Sequence, residues 1–326
     1  MRRFAAQLCL LGGLLASYLF YLGAPYIDSY WLHILTLVGI NVTLAVSLNL
    51  INGYTGQFSL GHSGFMAIGA YTAAATTLLA GPKLLPLLGG AQSTLGVGAL
   101  FFFALLAGGI LAAIAGLVVG GPSLRLKGDY LAIVTLGFGE IISVIFRNIP
   151  SLGGALGLTG IPPHTNVFWT YGVAAITIYT VLALVHSTYG RGFIAVRDDE
   201  IAAEAMGINT TRYKITAFVL GSFFAGIAGG LFAHQISAID PRGFTFMRSI
   251  EIVVFVILGG MGNTLGVILA AVLLTILTEY LRGIGEWRML IYSFLLIVLM
   301  LTRPQGLFRW KFGPRVKPAA NPTLSS

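Results

Sequence analysis

The sequence predicts an all-α polytopic membrane protein of about eight to ten transmembrane helices, with both termini in the cytoplasm. Three observations carry this. Hydrophobic residues make up 56% of the chain and charged residues only 9%, where an average soluble protein is about 25% charged. Apolar runs of roughly the 20 residues needed to cross a bilayer recur along the chain. The basic residues fall unequally on the two sides that those runs define, as the positive-inside rule requires. The same rule accounts for the net charge of +8 without a nucleic-acid surface. Glycine, 43 of 326 residues, is near twice its usual ~7%, which suits helices that pack through small residues in lipid.

Met1-Arg2-Arg3 followed by the apolar run 4–22 resembles a signal peptide, but the run is too long for a typical h-region and no clear small-x-small cleavage site follows. It is read as a retained first span. Further spans are expected at 31–50, 61–80, 95–120, 129–147, 167–188 and 215–236, and a last one at 288–302. Residues 249–260 and 264–281 are shorter runs split by Gly259-Gly260-Met261-Gly262-Asn263. They are either two shorter crossings or a re-entrant segment. Residues 1–302 therefore form one transmembrane domain, and 303–326 a basic, Pro-containing, disordered cytoplasmic tail.

With ten crossings and the N-terminus inside, the cytoplasmic side receives Arg2, Arg3, Arg125, Lys127, Arg191, Arg197, Arg212, Lys214, Arg303, Arg309, Lys311, Arg315 and Lys317. The other side keeps Lys83, Arg147, Arg242, Arg248, Arg282 and Arg288, a bias of thirteen to six.

The stretch 190–215 holds eight of the thirty charged side chains between two long apolar runs. It reads as a short docking helix exposed to water. Asp198 and Asp199 are suited to cap its N-terminus and its dipole. Gly207 supplies a left-handed stop. Glu200 and Glu204 lie one turn apart, beside an apolar stripe of Ile201, Ala205 and Ile208. The alternative is a solvated loop between spans.

Two glycine-rich hinges match in pattern. Gly53-Tyr54-Thr55-Gly56-Gln57-Phe58-Ser59-Leu60-Gly61 is similar to Gly259-Gly260-Met261-Gly262-Asn263-Thr264-Leu265-Gly266, with one residue fewer in the second. Each follows an inward span and opens an outward one, a hint of internal duplication of the kind found in transporters.

The blocks GYTGQFSLGHSGFMAIGAY at 53–71, RLKGDYLAIVTLGFGEII at 125–142, the docking stretch at 191–215, SIEIVVFVILGGMGNTLGVILAA at 249–271 and RPQGL at 303–307 closely resemble the LivM-type permease subunits of bacterial importers for branched-chain amino acids. The resemblance runs from about residue 31 to 307. It implies a pathway-forming subunit in the bacterial inner membrane, paired with a second, LivH-like permease. Two cytoplasmic ATPases that bind ATP and magnesium would drive it, and a periplasmic amino-acid-binding protein would feed it; the chain itself would need no cofactor. In that setting Arg191, Arg197, Asp198, Asp199, Glu200, Ala202, Ala203, Glu204, Gly207 and Ile208 would form the ATPase-coupling segment. The Glu-Ala-Ala, three residues, Gly loop that permeases of binding-protein-dependent importers often carry is matched by Ala202-Ala203 and Gly207, but Glu200 stands one place too far upstream and no Leu-Pro follows. Urea and other small-solute permeases share much of this pattern.

No Gly-x-x-x-x-Gly-Lys-Ser/Thr motif is present, so the chain does not cradle ATP by that route. The five histidines are scattered, and Cys9 lies alone in an apolar run, which excludes a disulfide framework and a cysteine-rich metal site. No acid–base constellation points to an enzyme. Candidates for a translocation path are Asn41 and Asn49 on one face of the second span, Gln57 and His62 at the first hinge, and Glu140 within the fifth span. An intramembrane carboxylate is a functional candidate by default, either as a proton relay in a secondary transporter or as a structural hydrogen-bond partner. The asparagines either line a polar route or hold helices together. Gly53, Gly56, Gly61, Gly259 and Gly262 are the hinge candidates.

Overall fold

The structure, a computed structural model, describes residues 2–23, 26–84, 86, 94–123, 129–284, 294 and 297. The expected tail and nearly all of the expected last span lie outside these residues, as do Arg125 and Lys127.

The helices are α1 (Arg2–Gly23), α2 (Ser29–Asn49), α3 (His62–Ala75), α4 (Gly81–Leu84), α5 (Thr94–Ser123), α6 (Asp129–Arg147), α7 (Val167–Val185), α8 (Gly190–Asp198), α9 (Glu200–Ala205), α10 (Thr210–Ile236), α11 (Phe246–Gly259) and α12 (Thr264–Tyr280). Among the described residues, seven helical stretches are long and apolar enough to cross a membrane: Ser29–Tyr54, His62–Lys83, Leu95–Gly121, Tyr130–Arg147, Val167–Val185, Thr210–Ile236 and Thr264–Gly283. The two short strands Leu158–Thr159 and Ala238–Ile239 pair antiparallel.

Helix α2 is mostly apolar and buried all round from Val38 on, its asparagines included, so it sits inside the bundle, packed against α7, α10, α11 and α12. Helix α5 instead turns Phe102, Phe103, Ile110, Leu111, Ile114, Leu117 and Val118 outward, a face suited to hydrocarbon. Helices α3, α5 and α10 meet through small residues. A Cβ on Gly69 would run into the Gly226 backbone, and one on Gly229 into the Met66 carbonyl. Bare backbone is what allows so close an approach.

Two glycine-rich breaks separate consecutive helices. Helix α2 ends in a π-helical turn, Leu50–Tyr54, followed by non-helical chain up to His62. Such π turns often mark functional positions. The second break lies between α11 and α12, where Gly260 and Gly262 take φ of 91° and 79°. Helix α11 has 14 residues, about 21 Å at 1.5 Å per residue, short of a ~30 Å hydrocarbon core. The pair at 249–281 is therefore one short leg joined to one full-length span.

The docking stretch forms the short helix expected between the aspartates and Gly207, α9, and adds a helix not expected, α8, which ends before it at Asp199, whose φ of −159° is extended. Span seven also begins earlier than expected, at Thr210, because Asn209 accepts from the Arg212 amide at 3.0 Å and caps α10.

Candidate coupling segment and hinge site

Asp199 alone caps α9, accepting from the amides of Ile201 and Ala202 at 2.9 and 3.0 Å. Asp198, the other expected cap, ends α8 and binds the Arg197 guanidinium at 2.8 Å. Adjacent carboxylates in sequence point in different directions once the chain turns extended between them. At the other end of α9 the Gly207 amide donates to Glu204 O at 2.9 Å and the Ile208 amide to Ala203 O at 3.0 Å. That pair of bonds is the Schellman closure, and Gly207 accommodates it at φ 81°.

The two glutamates do not project as a pair. Glu200 binds Lys214 on α10 at 2.6 Å, and Glu204 accepts from the Thr210 hydroxyl at 2.6 Å. Both carboxylates thus fasten α9 to the first turn of α10, with Ala203 buried beneath. The outward side of α9 is apolar: Ile201 is 72% and Met206 81% exposed, with Ala202 and Ala205 exposed beside them. Of the stripe predicted from sequence, Ile208 is half-buried instead, and Met206 takes its place. Arg191 is exposed on α8.

The two breaks face each other across the bundle. The Gly262 amide donates to Asn49 Oδ1 at 2.9 Å, and Tyr54 OH lies 2.8 Å from Thr264 Oγ1. A Cβ on Gly53 would meet both Asn49 and the Gly262 amide, and one on Gly259 would meet the Val267 backbone. Asn52 holds the non-helical segment by exchanging bonds with Ser59, accepting from its amide at 3.2 Å. A Cβ on Gly61 would strike the Thr135 carbonyl of α6.

The first break also carries most of the buried polar atoms that lack a partner among the described residues. These are Asn49 Nδ2, both amide atoms of Gln57, Ser59 Oγ and His62 Nδ1. Each unpaired buried polar group costs about 1–3 kcal/mol, so such a cluster is worth keeping only where water, a solute or a second conformation satisfies it. The other nitrogen of His62, Nε2, is 2.9 Å from Ser47 Oγ.

Asn41 sits further along α2, in a separate network. It donates to Thr275 Oγ1 at 2.9 Å and accepts from Arg248 Nη2 at 2.8 Å. Arg248 also binds Glu251 at 2.6 Å and lies 5.7 Å from the Phe232 ring centre. Charge counting placed Arg248 among the loop charges and missed this role. The signal available was a Glu three residues on, at helical spacing, in a largely apolar run. Glu140 accepts the Phe246 amide at 3.0 Å, supplying from α6 the N-terminal cap that Thr245 does not give α11. Thus Asn49, Gln57 and His62 gather at the first break, whereas Asn41 and Glu140 hold helices elsewhere. Outside the spans, burial lowers the pKa of His164, in the loop before α7.

A bundle of apolar helices long enough to span a bilayer, with two glycine-rich breaks tied to each other, defines a multi-pass membrane protein. Residues 30–302 match the family described as the permease component of branched-chain amino acid transport systems, and the chain belongs to that family. The high-affinity branched-chain amino acid transport system permease proteins LivM of Salmonella typhimurium and Escherichia coli are each 37% identical to it over 309 residues, covering 84% of this chain and 69% of theirs. The probable branched-chain amino acid transport permease protein LivM of Methanocaldococcus jannaschii is 27% identical over 238 residues, 61% of this chain and 66% of its own. No solved structure matches the chain.

Proposed function

We propose that this chain forms, with a second LivH-like permease, the translocation path of an ATP-driven importer for branched-chain amino acids in the bacterial inner membrane. Two ABC ATPases would dock on α8 and α9 from the cytoplasm, and a periplasmic binding protein would deliver the amino acid. Both termini would lie on the cytoplasmic side. The membership in the permease family and the LivM relatives support the substrate class.

The observation that carries the docking assignment is the build of α9. A six-residue helix is far too short to be stable alone. Here it is capped at both ends and bolted to α10 by Glu200 and Glu204, yet it turns Ile201 and Met206 outward. Rigid presentation of an apolar pair suits a groove on a partner that must be pushed and must push back. A loop merely linking two spans would need neither cap nor bolt.

The path would run past the first break. Gln57, Ser59, His62 and Asn49 offer donors and acceptors there that have no partner among the described residues, enough for a transient zwitterion whose affinity is set by the binding protein. Alternating access would rock the two tied breaks as the ATPases close.

The test is assembly and transport. Affinity purification on this chain from its own membranes should bring down one further permease and two ATPases. Proteoliposomes of that complex should take up labelled leucine only with ATP and the binding protein. Uptake by this chain alone, or uptake driven by a proton gradient without ATP, would overturn the reading; competition by urea rather than leucine, isoleucine or valine would overturn the substrate.

A further inference from the structure

We propose that Arg197 is the positioning residue that passes movement of α8 and α9 to both glycine breaks at once, an inference that rests on the docking role proposed above. Arg197 lies in the last turn of α8. Its stem runs along the first break: a Cβ on Gly56 would stand 3.0 Å from Arg197 Cγ and 3.4 Å from its Cα. Its guanidinium crosses to the second break, where a Cβ on Gly262 would stand 3.1 Å from Nη1. One side chain therefore fills the space left by glycine in both breaks. Those glycines hold φ of 69° and 79°, the left-handed region that costs glycine little and lets the backbone there change state readily.

Beneath Arg197 the breaks behave as one body, because Gly262 is bonded to Asn49 and Thr264 to Tyr54. Above it, Asp198 fixes the guanidinium, accepting from Nε at 3.0 Å and Nη2 at 2.8 Å. A partly open polar cavity of about 290 Å³ lies between the segment and the first break, lined by Gly56, Gln57, Arg197, Asp199, Glu200 and Lys214. A void transmits no push, and single atom contacts attract by only ~0.1–0.2 kcal/mol. Steric contact through the Arg197 side chain crosses that gap directly, beside the longer route through α10. The buried Gln57 amide, with neither polar atom paired among the described residues, borders the space into which such motion would carry it.

The test uses the complete importer in proteoliposomes, with Cys9→Ala and Phe58→Cys to report on the first break through its rate of thiol labelling. With Arg197 present, trapping with ATP and vanadate should change that rate. Arg197→Met should still bring down both ATPases but lose the nucleotide-dependent change, and Arg197→Lys, which keeps stem and charge without the fork, should recover part of it. An undiminished response in Arg197→Met overturns the proposal. Loss of ATPase co-purification in Arg197→Met alone also overturns it, making Arg197 a docking contact, while the docking role itself stands. Failure of the unaltered chain to bring down ATPases sinks the docking role instead. Should Arg197→Met not insert, Arg197→Gln carries the test: it shortens the side chain so that it no longer reaches Gly262, and an undiminished labelling response there overturns the proposal equally.

Discussion

Lys214 and Glu200 meet at 2.6 Å with the lysine side chain only 7% exposed, so the start of α10 and the start of α9 are joined by an ion pair largely out of water. Removing one partner from a buried pair costs about 3–5 kcal/mol, because the other charge is stranded. The cost here should fall toward the lower end, since Glu200 keeps 23% of its side-chain surface exposed. Glu200→Ala should therefore loosen α9 and depress ATP-coupled uptake, while Glu200→Leu combined with Lys214→Met recovers much of it. Uptake and thermal stability of the purified complex check this. Equal damage in the single and double variants would mean that Glu200 acts on a partner and not on Lys214.

Gly207 tests the helix stop. A Cβ there would meet nothing within 4 Å, so within this chain any effect of substitution comes from backbone conformation alone. At φ 81°, Gly207→Val should cost about 1–3 kcal/mol of local strain and unwind α9, whereas Gly207→Asn should be mild because asparagine tolerates the left-handed region. Coupled uptake should follow that order. Wild-type uptake in Gly207→Val would show that the stop is dispensable.

Glu140 distinguishes a cap from a proton relay. Glu140→Gln keeps an oxygen for the Phe246 amide, so uptake should be unchanged across the pH range. Glu140→Leu removes the cap of α11 and should cost about 0.5–2 kcal/mol of stability. A pH-dependent loss of uptake in Glu140→Gln, with the folded complex intact, would restore the relay.

Much of the fold was legible because apolar runs between charges translate directly into spans, and α5, α6, α7 and α12 fall close to the runs that suggested them. The breaks were legible through their glycines, though not their mutual contact, because a bond such as that between Asn49 and Gly262 joins residues far apart in sequence. The docking stretch was misread in detail for a similar reason. Asp198 and Asp199 are equally good caps on paper, and only the ion pair to Arg197 decides between them. Likewise Glu200 and Glu204 looked like a paired acidic face until Lys214 and Thr210 on the next helix claimed one each.

The most direct test of the account is site-specific crosslinking from α9 in the assembled importer. A photoreactive residue at Ile201 or Met206 should crosslink to an ATPase subunit, and the yield should change when ATP and vanadate are added. Crosslinks to lipid or to the second permease alone, with none to an ATPase from either position, would contradict the coupling role of this helix.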